Sequence, residues 1–63
     1  ARQARERFPF SVECKAHERL NIWDAIKQAE DNSGDHTPIV IFKRNRSKTY
    51  VTIELDNFLD LVE

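Results

Sequence analysis

NIWDAIKQAEDNSGDHTPIVIF, residues 21–42, holds the two signals that decide the fold. Asn21 is a good helix N-cap, and Asp24 three residues on resembles a shortened capping box. Ile22, Ala25, Ile26 and Ala29 then recur at i, i+3, i+4 and i+7, the stripe of an amphipathic helix. Trp23 flanks that stripe and is expected in the core, while Asp24, Lys27, Gln28 and Asp31 take the opposite side. Asn32-Ser33-Gly34 predicts the stop, with Gly34 suited to the left-handed region. After a polar loop, Pro38 to Phe42 is continuously apolar, which suits a strand buried on both faces and typical of parallel pairing.

Outward from this unit, Phe8 to Lys15 alternates. Phe8, Phe10, Val12 and Cys14 point one way, and Pro9, Ser11, Glu13 and Lys15 the other. Pro9 marks an edge position or a strand beginning. Strand, helix and strand in succession make a right-handed βαβ crossover the default. Lys43 to Ser47 reads as a charged turn. Thr49 to Leu55 reads as the next strand, with Val51, Ile53 and Leu55 inward and Tyr50, Thr52 and Glu54 outward. Asp56 is then expected to cap a short helix that packs Phe58, Leu59 and Val62. The fold class is α/β: a small mixed sheet in the order β-α-β-β-α, built from residues 10–15, 39–43 and 49–54, with 22–32 helical across its face.

A chain of 63 residues buries only about 60% of the surface it exposes when unfolded, so its core is marginal. The single cysteine, Cys14, allows no internal disulfide and favours a reducing, cytoplasmic compartment. Cys14 is expected to face the core as a small hydrophobe. His17 and His36 stand too far apart for a zinc motif, and His17 reads as a plain loop residue. No apolar run approaches the roughly 20 residues that span a bilayer, and no segment reads as a signal peptide. Ala1 in place of Met reads as processing or a fragment.

Ten basic against eleven acidic residues give a net charge of −1, which argues against a generic nucleic-acid coat. The distribution is uneven. Arg2, Arg5 and Arg7 crowd the N-terminus, read here as a solvated loop, and Lys43, Arg44, Arg46 and Lys48 crowd one later segment. Four positive charges in so short a turn could neutralise backbone phosphates. Charged hairpin turns are also common simply because they are solvated.

Glu13-Cys14-Lys15 is the triplet with chemical potential. Period-two geometry puts Glu13 and Lys15 on one face, about 6.6 Å apart along the strand. Metal-assisted phosphodiester hydrolysis needs a carboxylate to hold Mg²⁺ and a charge beside the reacting oxygens. A Glu and a Lys meet part of that need. Both residue types are so common that the triplet alone is a weak signal, and a surface ion pair worth at most about 1 kcal/mol is the plain alternative. Trp23 and Tyr50 are aromatic candidates for base stacking.

The surroundings of the triplet sharpen the reading. FSVECK, then ERLNIWDAIKQAEDNSGDHTPIVIFKRNRSKTYVTIELDNFLDLV, resembles the second half of phage-encoded Holliday-junction-resolvase-like nucleases of the PD-(D/E)xK superfamily. In that family a hydrophobic strand ends in E-C-K, and a helix with a Trp or Tyr and an inward Gln comes next. A buried strand then runs into a basic K/R-R-N turn. The resemblance covers Phe10 to the end of the chain. It implies that residues 10–63 are the C-terminal part of a restriction-endonuclease-like core and that 1–9 are a loop following a missing segment. It implies a Mg²⁺- or Mn²⁺-dependent endonuclease hydrolysing phosphodiester bonds in DNA, branched Holliday-junction DNA included, in a bacterial or phage-infected cell. Glu13 would be a metal ligand, Lys15 the catalytic lysine and Gln28 a helix residue facing the site. Lys43, Arg44, Arg46 and Lys48 would face DNA.

The family also places a helix with a Glu, and a strand with an Asp that is the second metal ligand, before this strand. Here the only earlier acid is Glu6, which in an extended chain would sit roughly 23 Å from Glu13. The second carboxylate is therefore expected outside these 63 residues, and the chain alone is expected to be inactive. A homodimer, or association with the missing N-terminal segment, is the expected assembly, since a four-way junction offers two symmetric cleavage sites. A non-catalytic DNA- or protein-binding module of the same fold, and an unrelated interaction domain, are the alternatives.

Overall fold

The computed structural model describes residues 9–63, so the expectations for Phe8, Glu6 and the N-terminal arginines lie outside the described residues. Along the chain come β1 (Phe10–Ala16), α1 (Ile22–Asn32), β2 (Thr37–Lys43), β3 (Tyr50–Ile53) and α2 (Leu55–Val62). The three strands form one mixed sheet in the order β1-β2-β3. β1 runs parallel to β2, and β3 runs antiparallel to it. The α/β class holds. Among the described residues no helix is long and apolar enough to cross a membrane.

The βαβ unit forms for the reasons its residues suggest. Asn21 is the N-cap of α1, its side chain accepting the Asp24 backbone N–H at 3.2 Å. The helix stops at Asn32, and Gly34 carries the positive φ (56°) that a side chain would resist. β2 is the central strand, and its Ile39 and Val40 are buried from opposite faces. Val40, 1% exposed, packs against Ala25 and Ala29 of α1, with Leu20, Ile22, Ile26 and Phe42 around them. Two alanines at the contact let the helix backbone lie close to the sheet.

That close approach decides which face of β1 is covered. Glu13 pairs with Val40 and Lys15 with Phe42, so both polar residues lie on the side that α1 covers. Val12 and Cys14 pair with Ile39 and Ile41 on the other side. There Val12 is 39% exposed and Cys14 is exposed as well, so Cys14 is not the core residue its alternation suggests. Alternation defines two faces of a strand. The helix contact through Val40 chooses between them.

Further expectations are corrected. Trp23 is 77% exposed, because Ala25 and Ala29 make the helix–sheet contact and residue 23 falls beside it. β3 ends at Ile53, so Leu55 is not an inward strand residue but the first residue of α2, and Val51 is exposed. The cap of α2 is Glu54 rather than Asp56: its carboxylate accepts the backbone N–H groups of Asp56 and Asn57, each at 3.3 Å. Phe58, Leu59 and Val62 form the expected apolar stripe but stay exposed. With Glu54 as the sole residue between β3 and α2, the helix has no length of chain in which to fold back over the sheet.

Candidate functional site

The site begins with a match of two repeats. Four residues of helix rise about 6.0 Å, and two residues of strand about 6.6 Å. Side chains at i and i+4 of α1 can therefore meet those at i and i+2 of an underlying strand, both pairs at once. The structure shows this. Lys15 Nζ donates to Gln28 Oε1 at 2.8 Å, and Asn32 Nδ2 donates to Glu13 Oε1 at 3.1 Å. The pairing runs 13 with 32 and 15 with 28, as helix and strand run in opposite directions across the crossover.

Each amide serves the charge in front of it, its oxygen toward the ammonium and its nitrogen toward the carboxylate. Glu13 and Lys15 are both half-buried. Their polar ends are thus held by neutral groups, and the plain ion pair between them is not what organises this face. Gln28, on the polar side of α1 by periodicity and facing the site only by the family resemblance, lies beside Lys15. Asn32 is the residue that sequence reasoning missed; its signal was the i+4 spacing from Gln28 on the polar side of the helix.

The basic segment lies at the same end of the sheet. β1 and β2 are parallel, and Ala16 pairs with Lys43, so the strand that carries Lys15 and the strand that leads into the turn finish together. Lys43, Arg44, Arg46 and Lys48 are all exposed. The turn is well tied. The Arg44 backbone N–H donates to Ser47 Oγ at 3.0 Å, and Arg46 adopts a positive φ of 60°. The Asn45 backbone N–H donates to Glu18 Oε1 at 2.9 Å, which ties the turn to the loop after β1. Beside Lys15 and Gln28, toward the loop after β1 and the start of α1, lies a shallow groove whose lining includes Lys15, His17, Asn21, Asp24 and Gln28.

The donor set can be tested against Mg²⁺. Glu13 offers a hard carboxylate oxygen, as that ion requires. Among the described residues no group of three His, Cys, Asp or Glu side chains converges. One carboxylate is a poor Mg²⁺ site, so the described residues fit the ion in kind and supply one part of its shell. No family model matches the sequence, and no curated protein or solved structure is similar to it.

Proposed function

We propose that this chain is the lysine-bearing part of a Mg²⁺- or Mn²⁺-dependent DNA endonuclease that hydrolyses phosphodiester bonds, with branched, Holliday-junction-like DNA as its substrate. One observation carries the reading: Glu13 and Lys15 project together from β1, each held by an amide of α1, at the sheet end where the basic turn stands. The β-α-β-β-α order is the order expected of the second half of a restriction-endonuclease-like core.

In this reading Glu13 is the metal ligand among the described residues, and a second carboxylate comes from outside the 63 residues, from an N-terminal segment or a second copy of the chain. A bound divalent ion would supply charge stabilisation on the phosphate and a more acidic water. Asn32 fixes the Glu13 carboxylate. Lys15 holds a positive charge near the phosphate, and Gln28 fixes where that ammonium sits. Lys43, Arg44, Arg46 and Lys48 supply affinity for the DNA backbone.

The same two hydrogen bonds favour a second reading, a non-catalytic DNA- or protein-binding module in which the ladder only bolts α1 to β1. The test is Mg²⁺-dependent cleavage of a four-way junction by the complete gene product and by its Glu13→Gln variant. Cleavage lost in the variant supports the nuclease. Junction binding without cleavage in either protein supports the module.

A further inference from the structure

A second cleft, of about 360 Å³, lies among the loop after β1, the end of β2, the basic turn and the start of β3. Its lining includes Leu20, Phe42, Tyr50, His17, Lys43 and Arg44. That volume falls within the range of small-ligand sites. Its composition is divided. Leu20 and Phe42 are half-buried and form an apolar floor. Tyr50, across the sheet from Phe42, is 55% exposed, with its ring centroid 6.1 Å from that of Phe42 and tilted by 31°. Arg44 brings a positive charge to the rim, while the alternation of β2 turns the Lys43 side chain toward the face of Ile41, away from Phe42.

Two acceptors stand in the same lining. Glu18 is the negative charge there, and its Oε1 is engaged by the Asn45 backbone N–H. That bond holds the turn against the loop after β1 and so fixes where Lys43 and Arg44 begin. Ser47 Oγ closes the turn from within, accepting the Arg44 N–H and donating its one proton to either the Arg44 or the Lys48 carbonyl oxygen. The backbone of the turn is therefore held in place, and the Tyr50 ring is open to solvent.

An exposed aromatic face beside a cation matches a base and its phosphate. Bases inside a duplex already stack on one another, so only an unpaired base can use the Tyr50 ring. We infer that this cleft binds one unpaired nucleotide of a DNA substrate, its base stacked on Tyr50 and its phosphate against Arg44. The inference rests on the DNA reading above and adds a structural preference to it: the protein selects DNA with an unstacked nucleotide next to a duplex arm.

The test is fluorescence anisotropy with two labelled duplexes of equal length, one blunt and one carrying a short oligothymidine extension, with the complete gene product. The wild-type protein is expected to bind the extended duplex more tightly. Tyr50→Ala and Tyr50→Leu should each weaken that binding by roughly 5- to 150-fold, the scale of one base–aromatic stack. Leu keeps apolar contact with Phe42 but has no ring, so agreement of the two variants separates stacking from folding. Tyr50→Phe should bind as wild type, and blunt-duplex affinity should be the same in all four proteins. Equal binding of both duplexes by the wild type overturns the inference, as does a Tyr50→Leu protein that still prefers the extension. Either result with salt-dependent blunt-duplex binding intact leaves the DNA reading standing, whereas failure to bind either duplex overturns both.

Discussion

Val40→Ala should be among the costly truncations at the described residues. Among the described residues Val40 is the largest side chain that is fully buried, at 1% exposure, and it sits on the central strand against Ala25 and Ala29. Removing its two methyl groups forfeits about 1.6 kcal/mol of transfer free energy. A cavity that fails to collapse adds about 1 kcal/mol, because α1 is already close to the sheet and the neighbouring alanines have no reach. The total, about 2–3 kcal/mol, compares with a stability of roughly 3–9 kcal/mol for a domain of this length. Thermal unfolding followed by circular dichroism should show Tm lowered by about 10–20 °C. Val51→Ala is the control. Val51 is exposed on the opposite face of the sheet, and its truncation should shift stability by less than about 0.5 kcal/mol. If the two variants melt together, the helix–sheet contact at Val40 is not what holds the fold.

Three other outcomes follow from particular residues. Gly34→Ala should cost about 1 kcal/mol in urea unfolding, since φ is 56° and a Cβ there would meet nothing within 4 Å; a larger loss would point to a steric cause that the structure does not contain. Asn32→Ala should weaken Mn²⁺ binding by the complete gene product by about 10–100-fold, the scale for a group that orients a ligand, and unchanged affinity would separate Asn32 from metal binding. Replacing Lys43, Arg44 and Arg46 together with Ala should weaken DNA binding and flatten its log–log salt dependence by about one per lost phosphate contact. An unchanged slope would remove the turn from the DNA interface.

Much of the fold was legible where local chemistry and periodicity agree. Asn21, the 22–29 stripe and Gly34 bound α1, and the Pro38–Phe42 run marks the buried central strand. The face of β1 that α1 covers was not legible, because alternation is symmetric between two faces until a neighbouring strand sets the register. Trp23 misled for a related reason: hydrophobicity suggested burial, but contact distance favoured the small Ala25 and Ala29. α2 shows an apolar stripe that sequence alone pairs with a core, and its one-residue link to β3 is visible only once the end of β3 is known. At the site, the shared face of Glu13 and Lys15 follows from period two alone. The nearness of the basic turn follows from the parallel pairing that the Pro38–Phe42 run suggests, whereas the Asn32 contact depends on how α1 crosses β1, which no local pattern encodes.

The central proposal is that Lys15 performs chemistry and does not merely bind Gln28. Its ammonium stands one strand repeat from Glu13, placed to offset negative charge gathering on a phosphate in the transition state. The measurement is single-turnover cleavage of a four-way junction by the complete gene product in Mg²⁺, with metal and junction affinities determined separately for each variant. Glu13→Ala should abolish metal binding and cleavage together. Lys15→Ala should keep both affinities yet cut about 10²–10³-fold more slowly, the scale of one preorganised electrostatic group. Lys15→Arg should rescue only in part, because a planar guanidinium places its charge differently from a compact ammonium. A Lys15→Ala protein that cuts at the wild-type rate would contradict the account and reduce the Glu13–Lys15 ladder to a bolt between helix and strand.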